Sequence, residues 1–391
     1  MSEMISFTVK AKDTGTAARV GLIKTAHGEI HTPAFLPVAS QGSVKALTPE
    51  EVRQVGADIV LANTYHLYLR PGIDLIRKMG GLHHFMKWDG PILTDSGGFQ
   101  AYSLSNLRRI TDAGILFRSH IDGTEHLLTP EAAVLYQKAL GVDVIMPLDE
   151  CIGFTQERNV VEAALRRTHR WAALCLGTQI SEDQAMFGIV QGGIFQDLRR
   201  DSAEHLASLN FSGYALGGLA VGEPREMMYE VVEYTAGFLP RWKPRYLMGI
   251  GSPDELVECV SMGVDLFDCA LPTRVARHGG LFTSSGRVNI GSSRFRFESG
   301  PVEEGCDCLA CVQFSASYIH HLYRSGELLA LRLGSIHNLR FVLRLMEELR
   351  QSILDGTFLA YRRQFLGSYT PTDQAARSRQ KQKWLAKRFS S

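Results

Sequence analysis

Two aspartates stand at the ends of apolar runs, Asp95 in ILTDSGGFQ and Asp268 in LFDCALPTR. Two carboxylates facing one cleft are equipment for glycosidic chemistry. One attacks an anomeric carbon while the other moves protons, which splits a hard substitution into two easier ones through a covalent intermediate. The plainer alternative is that Asp95 binds the turn amides of Ser96-Gly97-Gly98 and Asp268 caps the segment that follows it. A second acidic group, Asp149-Glu150, recurs with Gln191, Gly192-Gly193 and Gly217-Gly218 at the ends of other runs. A carboxylate accepts from the ring N–H and exocyclic amine of a guanine, while a side-chain amide and a backbone N–H donate to its carbonyl. Glycines let the backbone approach such a ring. Arg274, Arg277, His278 and Arg287 follow Asp268 as a cationic strip able to hold the phosphates of a nucleic-acid strand.

Cys306, Cys308 and Cys311 fall within six residues and can surround one tetrahedral ion with three thiolates. Zinc is the natural choice, and a histidine from a nearby helix completes the set, with His320, His321 and His337 all candidates by spacing. Four protein ligands close the ion to water, so its role is structural. The other cysteines, Cys151, Cys175, Cys259 and Cys269, are scattered. An odd total of seven, in a chain whose start lacks an export signal, speaks against a disulfide framework.

Eight strand-length apolar runs, at 33–39, 58–64, 91–97, 143–149, 185–193, 214–220, 245–251 and 265–273, must position these residues. Most are continuous rather than alternating, as expected of strands covered on both faces, and helix-length segments separate them. Thr48-Pro49-Glu50-Glu51 and Ser252-Pro253-Asp254-Glu255 read as capping boxes with proline at the first helical position, and Thr129-Pro130-Glu131 opens a third helix. Gly56, Gly141 and Gly263 suit the stops. Repeated βα units of this number predict an α/β fold, a (β/α)8 TIM barrel whose chemistry sits at the C-terminal strand ends. Polar and glycine residues fall at nearly every one of those ends. A doubly wound open sheet would gather them at one or two switch points instead. After 273 the repetition stops. The expected division is a catalytic barrel over 1–300, an appended zinc-binding subdomain over 301–350, and a helical, basic segment over 351–391 packing on the barrel.

With 391 residues, 45% hydrophobic and 21% charged, the chain has the balance of a globular protein able to bury a large core. Its apolar runs are far below the roughly 20 residues needed to span a bilayer, so no membrane contact and a cytoplasmic location are expected. The formal charge of +1 confines any nucleic-acid contact to a local patch.

The ordered stretches TPAFLPVASQGSVKALTPEEV, GADIVLANTYHLYLRPG, ILTDSGGFQAYSL, LDEC, FGIVQGG, YALGGLAVGE, YLMGIG, FDCALPTR and CDCLAC…SYIHHL…IHN cover nearly the whole chain. In this the sequence resembles the tRNA-guanine transglycosylases, or queuine tRNA-ribosyltransferases, of bacterial type. These enzymes exchange the wobble guanine of tRNAs with GUN anticodons for a 7-deazaguanine base. The resemblance implies that Asp268 is the nucleophile on the ribose and that Asp95 is the general acid/base. It implies that Ser96, Asp149, Cys151, Gln191 and the backbone at Gly217, Gly218 and Leu219 bind the base, that Phe99 and Met248 sandwich it, and that Asn63 orients Asp268. It assigns Arg274 and Arg277 to the tRNA anticodon loop and makes His337 the fourth ligand of one structural Zn2+ per subunit. It further implies a homodimer and, from Cys151 and Val221, use of 7-aminomethyl-7-deazaguanine. Val275, His278 and Ile152-Gly153-Phe154 depart from the family pattern, which bears on tRNA-loop contacts rather than on the reaction class. Two rivals are a non-catalytic partner subunit, opposed by the presence of both aspartates, and a carbohydrate glycosidase, opposed by the cysteine unit and the guanine-shaped pocket.

Overall fold

The computed structural model describes residues 5–100 and 108–372. The AYSL end of ILTDSGGFQAYSL and the basic stretch from Arg377 to Arg388 lie outside the described residues.

The chain begins with an antiparallel sheet of β1 (Ser6–Lys12), β2 (Arg19–Thr25) and β3 (Gly28–Thr32). The barrel strands follow: β4 (Ala34–Leu36), β5 (Val38–Ala39), β6 (Val60–Asn63) and β7 (Ile92–Asp95). A second antiparallel sheet of β8 (Arg108–Thr111), β9 (Gly114–Arg118) and β10 (Glu125–Leu128) interrupts them. The barrel resumes with β11 (Val144–Ile145), β12 (Ala185–Val190), β13 (Gly213–Leu216), β14 (Arg245–Leu247) and β15 (Leu266–Asp268). The barrel strands pair in parallel in the order β4-β15-β14-β13-β12-β11-β7-β6-β5. The two ends of that order, β4 and β5, are consecutive pieces of chain on either side of Pro37. The sheet therefore closes on itself, and the expected first strand is realised as two. Proline lacks the N–H a continuous ladder needs, while the Pro37 carbonyl still accepts from the Leu61 amide at 3.0 Å.

Alternate side chains divide between two cores, as a period of two requires. Leu36, Leu61, Leu93, Val144, Phe187, Ile189, Ala215, Tyr246 and Leu266 fill the barrel interior. Phe35, Val60, Ile92, Ile145, Met186, Tyr214, Leu247 and Phe267 face the surrounding helices. Each such side chain contributes about 1.5–3 kcal/mol relative to exposure. Ile23 and Ile30 of the first sheet join the interior cluster, so that sheet plugs one end of the barrel. Which end is fixed by Arg19. Its guanidinium spans both oxygens of buried Asp265 and donates to the Arg241 carbonyl at 2.6 Å, all at residues just before β14 and β15. The plug covers the N-terminal strand ends and leaves the C-terminal ends open.

Helix starts hold largely as the sequence predicts. Thr48 closes a full capping box with Glu51, and Thr129 caps the helix Pro130–Leu140, which stops at Gly141 in the left-handed region (φ 66°). Ser252 differs: its hydroxyl donates to the Asp254 carboxylate rather than closing a capping box. After β15 come the short helix Leu271–Ala276, a hairpin of β16 (Gly280–Thr283) and β17 (Gly286–Asn289), and the helices Leu309–Gln313, Ala316–Ser325, Leu328–Leu354 and Phe358–Ser368. Buried Asn338 of the long helix donates to the Pro272 and Gly280 carbonyls, both at 2.9 Å, and Arg362 pairs with Glu258, so this region is fastened to the barrel. Among the described residues no helix is long and apolar enough to cross a membrane.

Candidate active site

Asp95 ends β7 and Asp268 ends β15, both at the open mouth. Asp95 is held from the neighbouring strand. Asn63 ends β6 opposite Asp95, caps the helix Thr64–Leu69 by accepting from the His66 amide at 3.0 Å, and gives its own amide to the Asp95 carboxylate. The Thr64 amide donates to the same carboxylate at 3.1 Å. The expectation that Asn63 orients Asp268 is therefore corrected. Asp268 lies on β15, which pairs with β4 and β14, whereas Asn63 is in register with Asp95 on β7. What holds Asp268 is the Tyr246 hydroxyl at 2.6 Å and the Gly249 amide at 2.9 Å, both donating to Oδ1.

The two carboxylates feel one another. Burial, and then the charge of Asp268, push the Asp95 pKa up to about 7, against hydrogen bonds from Thr64, Gly97 and Gln100 that pull it down. Burial also raises Asp268, opposed by the bonds from Tyr246 and Gly249. Burial first, and the Asp268 charge second, hold the Tyr246 phenol in its neutral, donating form. A carboxyl that titrates near neutrality beside one that accepts hydrogen bonds from a phenol and a backbone amide has the character of an acid/base and nucleophile pair.

Beside this pair, buried Asp149 accepts from the Gln191 side-chain amide at 2.7 Å, and burial lifts its pKa to about 6. Gly217 and Gly218 press against Gln191. A Cβ on Gly217 would stand 2.7 Å from Gln191 Nε2, and one on Gly218 would stand 2.3 Å from Oε1, with Gly218 at φ +65°. These two glycines are required by close approach. The Cys151 thiol lies by the Gly218 amide and donates to the Ile152 carbonyl at 3.9 Å, and burial pushes its pKa up to about 12, so it is an uncharged group. Leu219 is buried, and Ser96 is buried with its hydroxyl accepting from the Gly98 amide at 3.3 Å. Phe99 is 44% exposed at the rim, and Met248 packs at the edge of the interior cluster. Ile152, Gly153 and Phe154 line a narrow cleft with Gln191, Gly218 and Glu223. Glu223 gathers the amides of Ala220, Val221 and Gly222 on its carboxylate and so fixes the loop after β13. Arg274 and Arg277 follow Asp268 on and just after the helix Leu271–Ala276, the first exposed and the second half-buried.

Sequence reasoning missed Tyr246, Glu223 and Thr64. Tyr246 sits inside the apolar run RYLMGIG and reads as core. A carboxylate three residues after the Gly-rich turn at 217–220 is a signal that could have found Glu223.

The cysteine unit forms a second, separate centre. Cys306, Cys308, Cys311 and His337 are all buried, with their ligand atoms within 4.8 Å of one another. His337 Nδ1 lies 3.8, 3.6 and 3.3 Å from the three sulfurs in turn. Metal–sulfur and metal–nitrogen bonds of about 2.3 and 2.0 Å at tetrahedral angles imply edges of about 3.5 Å, so the donor set fits one ion. His337 Nε2 meets the Phe282 carbonyl at 2.7 Å, which fixes the ring so that Nδ1 faces the thiols. Neither other histidine enters the cluster. His320 faces the Ile290 carbonyl at 2.7 Å, and His321 stands 3.5 Å from the Ser325 hydroxyl.

Compared with known sequences, residues 13–371 match the family described as Queuine tRNA-ribosyltransferase. A protein of that name from Dehalococcoides mccartyi is 53% identical over 380 residues, 97% of either chain. One from Pelotomaculum thermopropionicum is 53% identical over 365 residues, 93% of this chain and 99% of its own. One from Dictyoglomus turgidum is 49% identical over 381 residues, 97% of this chain and 98% of its own.

Proposed function

The chain belongs to the queuine tRNA-ribosyltransferase family and is a pentosyl-transferring enzyme; from that premise we propose that it exchanges the wobble guanine of tRNAs with GUN anticodons for 7-aminomethyl-7-deazaguanine by double displacement. The observation that carries this reading is the meeting of Asp95 and Asp268 at one barrel mouth, with the charge of one raising the pKa of the other.

Asp268, held by Tyr246 and Gly249, attacks the ribose anomeric carbon as guanine leaves, forming an aspartyl ester. Asp95, protonated at the start, gives its proton to the departed guanine anion and then takes the ring N–H proton of the incoming base, whose nitrogen displaces Asp268. Two inversions give net retention. Asp149 accepts from the base's N–H groups, while the Gln191 amide and the Gly218 N–H donate to its carbonyl oxygen. Ser96, Cys151, Gly217 and Leu219 complete the walls, and Phe99 and Met248 flank the ring faces. Asn63 steers Asp95. Arg274 and Arg277 engage anticodon-loop phosphates, so that binding depends on salt.

Cys306, Cys308, Cys311 and His337 would hold one structural Zn2+, whose chemistry is to crosslink the cysteine loop to the long helix Leu328–Leu354 within the unit over 301–350, beside the barrel over 1–300 and the segment 351–391. The enzyme acts in the cytoplasm as a homodimer. Incubation with such tRNA and labelled guanine tests the reading. Label entering the RNA supports it, and a chain that leaves the RNA unlabelled refutes it.

A further inference from the structure

Arg199, on the helix Gln196–Ser208, is 0% exposed, yet it forms no ion pair with any described carboxylate. Its guanidinium passes between the loops that follow β12 and β13. Nε donates to the Gly193 carbonyl at 2.8 Å, and Nη1 donates to the Val190 and Gly217 carbonyls at 3.1 and 2.8 Å. Nη2 is buried with no hydrogen-bond partner and lies 3.7 Å from where a Cβ on Gly218 would stand. By contrast Arg225, which is partly buried, has Asp254 and Glu255 beside it. The carboxylate whose charge favours the Arg199 cation, Glu223, makes no direct ion pair with it and is taken up by the loop amides of Ala220, Val221 and Gly222; burying a guanidinium without a directly paired carboxylate is costly, and tying two loops together does not require a charge.

The geometry connects this charge to the base subsite. A trans peptide points its carbonyl and its N–H in opposite directions. The Gly217 carbonyl is taken by Arg199, so the Gly218 N–H of the same peptide is turned the other way, toward the Cys151 thiol. A cation on the carbonyl polarises the peptide and makes that N–H a stronger donor in a site of low dielectric. Gly192 and Gly218, both in the left-handed region, let the loops lie this close; a Cβ on Gly192 would stand 2.8 Å from the Arg199 amide.

We propose that Arg199 is a positioning residue for the departing base: it aims the Gly218 N–H at the base's carbonyl oxygen, and its buried charge stabilises the electron pair that the base carries away. The inference rests on the base-exchange reading above. In that step the bond from C1′ to the base nitrogen breaks with both electrons on the base, and an Asp268 oxygen lone pair forms the new bond to C1′. The negative charge of the carboxylate thus passes to the base, where it spreads onto the carbonyl oxygen. Gln191 and Gly218 meet that oxygen, and Arg199 lies behind both.

The test compares wild type with Arg199→Gln and Arg199→Lys in single-turnover formation of the protein–RNA adduct. One RNA carries guanine at the exchanged position, and the other carries 8-azaguanine, whose extra ring nitrogen makes it a better leaving base. Arg199→Gln should slow departure of guanine by about 10- to 100-fold. It should slow departure of 8-azaguanine far less, so that the ratio between the two bases rises about tenfold, with Arg199→Lys in between. Equal losses on both bases would mean a merely structural role and would overturn the proposal, as would no loss. If Arg199→Gln does not fold, the same ratio in Arg199→Lys decides. A wild-type protein that forms no adduct with either RNA would remove the base-exchange reading and this inference together, whereas an unchanged ratio in active variants removes this inference alone.

Discussion

The hydroxyl of Tyr246 donates to Asp268 Oδ1 across 2.6 Å, from a side chain that is itself wholly buried inside the barrel. The two residues rise on adjacent strands, β14 and β15, and Tyr246 is in register with Leu266, two residues short of the mouth. A residue of the barrel core thus reaches up to hold the carboxylate proposed as the nucleophile. The Gly249 amide donates to the same oxygen, so both hydrogen bonds fall on Oδ1 and none among those of the described residues falls on Oδ2.

Removing that donor should therefore cost rate rather than fold. A hydrogen bond to a charged group contributes about 1.5–3 kcal/mol. Tyr246→Phe should lower kcat about 10- to 100-fold at nearly unchanged KM for tRNA, with a melting temperature close to wild type. A tenfold rise in KM at unchanged kcat would contradict the role given to Tyr246.

Asp95 should be visible in both rate and stability as pH changes. With its pKa pushed up to about 7, it is partly protonated at neutrality. Use of free base should fall as pH drops below about 7, because the proton acceptor is lost, and Asp95→Asn should abolish both activity and that inflection. The stability effect has the opposite slope. A carboxyl raised above its unfolded value contributes stability that is complete below about 3.8 and lost as pH rises through about 7. Asp95→Asn should therefore exceed wild type in unfolding free energy at pH 8 by up to a few kcal/mol, with the gap closing toward pH 5. A gap that stays constant across that range would show that burial does not set this pKa.

Much of the scaffold was legible because chemistry and periodicity coincide at strand ends. Asp95, Asp149, Gln191, Gly217 and Asp268 each close or directly follow a buried apolar run, and the parallel sheet delivers them to one mouth. The partner of Asn63 was not legible, since strand order around a closed barrel decides it: β6 lies beside β7, and spacing carries no trace of that. Arg199 in QDLRRDS looks like one of two solvated helix arginines, and only the turn of the helix buries it while Arg200 pairs at the surface with Glu204. Spacing left His320, His321 and His337 equivalent. The long helix Leu328–Leu354 settles the geometry by bringing His337 over the cysteines, where the Phe282 carbonyl orients the ring. The antiparallel sheets at both ends of the first barrel segments went unread because their residues alternate in and out of solvent in short stretches.

The thiolate centre should behave as a fold element. Apparent binding free energies of structural zinc in small finger peptides are about 10–16 kcal/mol at neutral pH, so losing one ligand is severe. Cys308→Ser should lower zinc content and melting temperature together, and a strong chelator should reproduce the loss in wild type. Unchanged metal stoichiometry in Cys308→Ser would reject this ligand set.

The proposed attack by Asp268 is the step from which the other proposed roles follow, and covalent capture tests it most directly. Wild-type protein is mixed with a tRNA carrying a GUN anticodon, without free base, then denatured and resolved by mass. The expected result is a protein–RNA adduct that maps to Asp268 and discharges when guanine is added, with none formed by Asp268→Asn. An adduct of equal yield in Asp268→Asn, or one mapping to another side chain, would contradict the account.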